Sequence, residues 1–174
     1  MLCCEHLSQF LIDLRHVHLI ATKNILRYLT GIVDYGLKYE ASQKINLEDY
    51  VDSNWAGSAI DKKSTSRCCF SMGSSVISWF STKQSCVALS TVEAEYVTTY
   101  STSCEVVWLR KLLSDLFDLQ LDVTCKYFDN QSCVKLSENL VFHDKSKHIE
   151  IKYHYIKDMA QRGAMKLQYV ATDE

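Results

Sequence analysis

Three acidic residues stand where an ordinary soluble domain has little use for a charge. Asp52 lies inside the apolar segment 47–55, between Val51 and Trp55. Aspartate is depleted in strands because its side chain competes for backbone hydrogen bonds and resists burial. Asp129 ends the segment VTCKYFD (123–129) and is followed at once by Asn130, Gln131 and Ser132. Glu95 sits near the start of the longest periodic segment in the chain. If the two strands are neighbours and the helix crosses their ends, these carboxylates converge. At ~4 Å two unit charges repel by ~4 kcal/mol at an effective dielectric of ~20, so such a cluster calls for protons or cations. Divalent magnesium favours hard oxygen ligands and completes its shell with water and phosphate oxygens. Two such ions about 3.5–4 Å apart hold an attacking water and stabilise the leaving oxygen of a phosphodiester. The chemistry this predicts is metal-assisted phosphodiester hydrolysis. Spacing alone leaves blander roles open: Asp52 at a strand end, Asp129 as the N-cap of a following helix, Glu95 as a solvated charge.

The elements that must position these residues follow from periodicity. From His16 to Leu29, the residues Val17, Ile20, Ala21, Ile25, Leu26 and Leu29 recur at three- and four-residue steps, which predicts a helix with one buried face, ended by Gly31. Residues 35–39 and 47–55 read as strands joined by a polar turn around Ser42 to Lys44. After a polar stretch, 57–66, the segments 68–73 and 76–80 read as a hairpin through Gly73, Ser74 and Ser75. Ala94, Val97, Tyr100, Cys104, Val107, Trp108, Leu112 and Leu116 then mark one stripe of a long helix. Ser90 and Glu93, three residues apart, have the spacing of a capping box at its start. A strand over 123–129, a short helix over 130–137, a helix over 149–160 ending at Gly163 and a strand over 165–170 complete the chain. The order implies an α/β fold, a mixed sheet with helices packed on it. Trp55, Trp79 and Trp108 are expected in its core.

Composition narrows the function classes. The 174 residues suit one domain or one plus a short appendage, and 47% hydrophobic against 23% charged residues is ordinary for a globular protein. The formal net charge of −2 supplies no general basic field, so any contact with nucleic acid must be local. None of the eight cysteines forms a C-x-x-C pair, and the six histidines do not interleave with them at zinc-ligand spacing. His148 and His154 are six residues apart and share no helix face. Reduced thiols in an intracellular setting, cytoplasmic or nuclear, are the expectation. No apolar run reaches the ~18 residues of a membrane span. The N-terminus, with Glu5 and no A-x-A-like site, does not read as a secretion signal. Five glycines and no proline leave turns to Asn, Asp and Ser.

Ordered blocks in the chain resemble the ribonuclease H domain of copia-type retrotransposon Pol polyproteins. The blocks are YVDSNWAG (50–57), DKKSTS (61–66), ISWFSTKQSCVALSTVEAEY (77–96), WLRKLL (108–113), FDNQS (128–132) and VFHDKSKHIEIKYHYI (141–156). Residues 18–39 resemble the stretch that links the reverse transcriptase to that domain. The resemblance implies a ribonuclease H-like fold, with five strands and helices packed on them over 41–174, truncated at the C-terminus. Residues 1–40 would form an N-terminal connection segment. It further implies cleavage of the RNA strand of RNA:DNA hybrids by a two-metal magnesium site, with manganese as a possible substitute and no small-molecule cofactor. The reverse transcriptase region of the parent polyprotein would be a partner. Asp52, Glu95 and Asp129 map to the catalytic and metal-binding carboxylates. Glu93 is a rival to Glu95, but the capping box already gives Glu93 a task. Gln131 maps to a position suited to minor-groove contact, with Asn130 beside it. Lys62, Lys63, Lys83, Lys145, Lys147 and His148 fit phosphate positioning.

The chain also departs from that pattern. Its YVAT strand (169–172) is followed only by Asp173 and Glu174, so a fourth carboxylate is expected to be missing. Asn54 replaces an acid, Arg67 a glycine, and Leu140 and Ala171 prolines. These departures make a catalytically weakened or inactive remnant the alternative to an active nuclease.

Overall fold

The computed structural model describes residue 7 and residues 13–40, 45–129 and 147–171. The chain divides into two units, Met1–Lys38 and Tyr39–Glu174.

The first unit carries helix α1, His16–Thr30. The Arg15 backbone N–H donates to His18 Nδ1 at 3.1 Å, and Gly31 closes the helix by donating to Arg27 O and Tyr28 O. No residue of α1 is buried. Its most covered side chains are the half-buried His18, Ala21 and Ile25, while Val17, Leu19, Ile20, Leu26 and Leu29 are exposed. Periodicity located a face that can be buried; it does not supply the surface that buries it.

The second unit is built on five strands, β1 (Leu47–Asn54), β2 (Thr65–Met72), β3 (Ser75–Lys83), β4 (Thr124–Phe128) and β5 (Met165–Tyr169). Their order in the sheet is β3-β2-β1-β4-β5. The first three form an antiparallel meander, and β4 and β5 join parallel to β1. The longest helix, α2 (Thr91–Phe117), stands between β3 and β4, and α3 (Lys147–Gln161) between β4 and β5. Parallel neighbours require such crossovers, because a tight turn cannot return the chain to the same end.

Alternation decides which face is dry. Leu47, Asp49 and Val51 of β1, Ser66, Cys68 and Phe70 of β2, and Thr124, Lys126 and Phe128 of β4 are all buried. With side chains alternating at every residue, these nine share one face. Val106 and Leu109 of α2 pack there with Leu47, Cys68 and Phe70. Ile156 of α3 packs with Tyr96 and Met165. The opposite face carries Tyr50 and Tyr127, stacked at 4.9 Å between ring centroids, and Trp79 in register with Cys69.

Four expectations need correction. Residues 35–39 form no strand: Tyr35, Leu37 and Tyr39 are exposed, and Tyr39, which opens the second unit, donates its Oη to Val76 O at 2.6 Å. Trp55, Trp79 and Trp108 are 45%, 48% and 54% exposed, so none is core; Trp55 rests its indole N–H on Ala88 O. The buried stripe of α2 runs through Ala94, Val97, Thr98, Thr102, Val106, Leu109 and Leu113, not through Cys104, Val107, Trp108 and Leu116. Its hydroxyls bond back one turn, Thr98 to Ala94 O and Ser103 to Thr99 O, which lets polar side chains face the sheet without an unmet donor. Finally, the cap of α2 sits at Ser90 as expected, but the return bond of Glu93 is shifted by one residue. Ser90 Oγ accepts from the Glu93 N–H as expected, but Glu93 Oε2 accepts from Leu89 N–H at 2.8 Å.

Candidate active site

The parallel pairing of β1 with β4 sets Val51 opposite Phe128, both buried. One residue further along each strand stand Asp52 and Asp129, both exposed. Each acid is thus the residue that follows the last pair of the parallel ladder, whose strands lie about 4.8 Å apart. Asp129 follows the carboxyl end of β4 and Asp52 lies shortly before that of β1, the side on which open α/β sheets hold their ligands.

Glu95 reaches the same end by a different route. Ser53 pairs with Ser66 across β1 and β2. Ser66 Oγ shares a hydrogen bond of 2.7 Å with Thr98 Oγ1 of α2. Gln84, buried at the end of β3, donates through Nε2 to Ala94 O, Ser66 Oγ and Thr98 Oγ1 at 2.8, 3.0 and 3.2 Å. This polar clasp fixes the first turns of α2 over the ends of β1 and β2, and Glu95, half-buried, lies within them. No apolar periodicity marks Gln84, Ser66 or Thr98, so sequence reasoning missed the clasp. Three short polar residues in otherwise buried positions are its only signal.

Asp52 does not stand alone. It is the cross-strand partner of Arg67, whose Nη1 lies 3.1 Å from Asp52 Oδ2. Their side chains are about half and a third exposed. Among the described residues, no group of three or more His, Cys, Asp or Glu side chains is placed to hold a metal ion. The structure thus leaves Asp52 and Asp129 each one residue past the last β1–β4 pair and Glu95 in the first turns of α2, without closing the three into one ligand set.

The phosphate-positioning candidates divide in the same way. Lys83 Nζ is engaged within the chain, 3.3 Å from Asp61 Oδ2 and 3.2 Å from Ser58 Oγ. Asp61 is in turn held well below the usual carboxylate range, at about 2, first by its hydrogen bond with Ser58 and further by the Lys63 amide and the Lys83 ammonium. Lys62, in the same loop, has a left-handed backbone with φ 55°. Asn130, Gln131 and Lys145 lie outside the described residues, as do the expected helix over 130–137 and the terminal Asp173 and Glu174. Lys147 and His148 open α3.

A mixed five-stranded sheet with this order and helices packed on it defines a ribonuclease H-like fold. The chain superposes on LC11 ribonuclease H1, isolated from compost by a metagenomic approach, with a TM-score of 0.53, covering 75% of this chain and 87% of that one at 12% identity. No protein-family model matches the chain. It is 38% identical over 167 residues to the retrovirus-related Pol polyprotein from transposon TNT 1-94 of Nicotiana tabacum, a match covering 96% of this chain. It is also 38% identical over 170 residues to the corresponding polyprotein from transposon RE1 of Arabidopsis thaliana, covering 98% of this chain. The chain belongs to the retrovirus-related Pol polyproteins of plant transposons. It spans 12% of the length of each of these two relatives. No described helix is long and apolar enough to cross a membrane.

Proposed function

We propose that the second unit is the ribonuclease H module of a copia-type transposon polyprotein, an endonuclease that hydrolyses the RNA strand of RNA:DNA hybrids. The observation that supports this reading is the register of β1 and β4, whose last pair, Val51 and Phe128, immediately precedes Asp52 and Asp129. Two neighbouring carboxylates suit magnesium, which is commonly held by one or two carboxylates, with water and substrate phosphate completing its shell. Asp52 and Asp129 would hold the metal, with Glu95 approaching from α2. When bound, magnesium or manganese supplies Lewis acidity and an activated water at the phosphodiester. Asn130, Gln131, Lys83, Lys145, Lys147 and His148 would contact the duplex, and the reverse transcriptase region of the polyprotein would present it. Free thiols at Cys68, Cys69, Cys86, Cys104 and Cys125 support an intracellular setting.

The test is cleavage of a labelled RNA:DNA hybrid in magnesium by this chain and by Asp129→Asn. Cleavage that falls to background in the variant supports the reading. Equal background signals from both leave a second reading, a remnant that keeps the fold without the activity. The Arg67–Asp52 ion pair favours that second reading, because it occupies one of the two adjacent acids.

A further inference from the structure

Resting on the metal-site reading above, we infer that Arg67 is a built-in competitor for the divalent cation, a positioning residue that holds Asp52 in an ion pair and so weakens metal uptake. Asp52 and Arg67 are direct cross-strand partners, so their side chains leave the sheet on the same face. The contact is made by one nitrogen on one oxygen, Nη1 to Oδ2. Both side chains retain access to water, and ion pairs of that kind are individually weak and exchangeable. A divalent ion can therefore reach Asp52, but only by breaking the pair.

Breaking the pair does not remove the charge. Arg67 Nε is buried and has no hydrogen-bond partner, which places the inner part of the guanidinium against the sheet while its outer end reaches Asp52. A displaced guanidinium thus stays close to the ion that displaced it. The cation at Asp52 then meets a fixed positive neighbour one strand away. Lys126, the other cation of this region, offers no such competition: it lies on the buried face against Asp49.

The experiment is a titration of the full chain with manganese alone, by calorimetry, comparing the native sequence with Arg67→Thr, Arg67→Lys and Asp52→Asn. Threonine is favoured in strands and removes the charge; Arg67→Gln replaces it should the threonine variant fail to fold. Arg67→Thr is expected to bind manganese about three- to tenfold more tightly, as loss of a competing exposed ion pair and of a neighbouring charge allows. Arg67→Lys keeps the charge and is expected to bind as the native chain does. Adding Asp52→Asn to Arg67→Thr is expected to erase the gain. Unchanged affinity in Arg67→Thr overturns the inference, as does an equal gain in Arg67→Lys or a gain that survives Asp52→Asn. Hybrid cleavage is read separately. Tighter manganese without cleavage sinks the nuclease reading and leaves the competitor standing, whereas cleavage with unchanged affinity does the reverse.

Discussion

Lys126 Nζ lies 2.7 Å from Asp49 Oδ2, and neither side chain reaches solvent. The two are register partners on the parallel strands β1 and β4, directly beneath α2. Lys126 also contacts the Thr102 hydroxyl and Thr99 O of that helix. Burial pushes the Asp49 carboxyl up and the Lys126 ammonium down, and each partner's charge opposes the other's shift. Such a pair gains little over apolar packing, but half of it is costly, because the survivor is a charge without water or counter-ion. Lys126→Met alone is expected to lower stability by about 3–5 kcal/mol, and adding Asp49→Val is expected to recover most of that loss. Urea unfolding of the two variants checks both steps. Additive losses in the double variant would contradict a coupled pair.

That pair also marks the limit of what the sequence disclosed. The five strands and the two described helices of the second unit were legible because apolar residues recur at the right period, and the motif order carried the fold. The buried side of α2 was not. Thr98, Thr102 and Ser103 face the sheet because their hydroxyls find acceptors within their own helix, Lys126 because Asp49 is in register, and neither condition is visible in an apolar pattern. Of the candidate site, Asp52 and Asp129 announce themselves by residue type, but the register that pairs the residues just before them, and the one that sets Arg67 against Asp52, belong to strand pairing rather than to any local signal.

Cys68 and Cys104 should differ sharply toward alkylating reagents. Burial, reinforced by the negative charge of Asp49, pushes the Cys68 thiol up to about 12, so it stays protonated at pH 8. Cys104 is exposed. The thiolate is the nucleophile, and access is the second requirement. Iodoacetamide at pH 8 is expected to modify Cys104 and spare Cys68 until urea is added, as read by peptide mass spectrometry. Modification of Cys68 in the folded chain would mean that α2 does not seal this face.

Asp61 gives the loop 58–63 an acid-sensitive anchor. Its carboxyl titrates at about 2 in the fold, against an ordinary value of 3.8. Between these values the unfolded chain binds more protons than the folded one, so stability rises with pH across this window. The contribution is whole above about 4 and is lost as the pH falls toward 2. Asp61→Asn is expected to flatten the dependence of the unfolding midpoint on pH between 2 and 4, with no change in slope near neutrality. An unchanged acid slope would place the effect elsewhere.

Glu93 and Glu95, two residues apart on α2, should part company when each is changed. Glu93 accepts from the Leu89 N–H while its own N–H donates to Ser90 Oγ, so it belongs to the helix start. Removing a cap contact of this kind costs about 1 kcal/mol. Glu93→Ala is therefore expected to lower stability by about that amount and leave hybrid cleavage by the folded protein intact. Glu95→Gln keeps the shape and removes the charge. It is expected to abolish magnesium-dependent cleavage by the folded protein, because the neutral amide is a poor ligand for a hard cation. Unfolding midpoints and cleavage rates measured on the same preparations separate the two residues. The reverse pattern, with Glu93 needed for cleavage and Glu95 dispensable, would transfer the proposed ligand role to the capping residue.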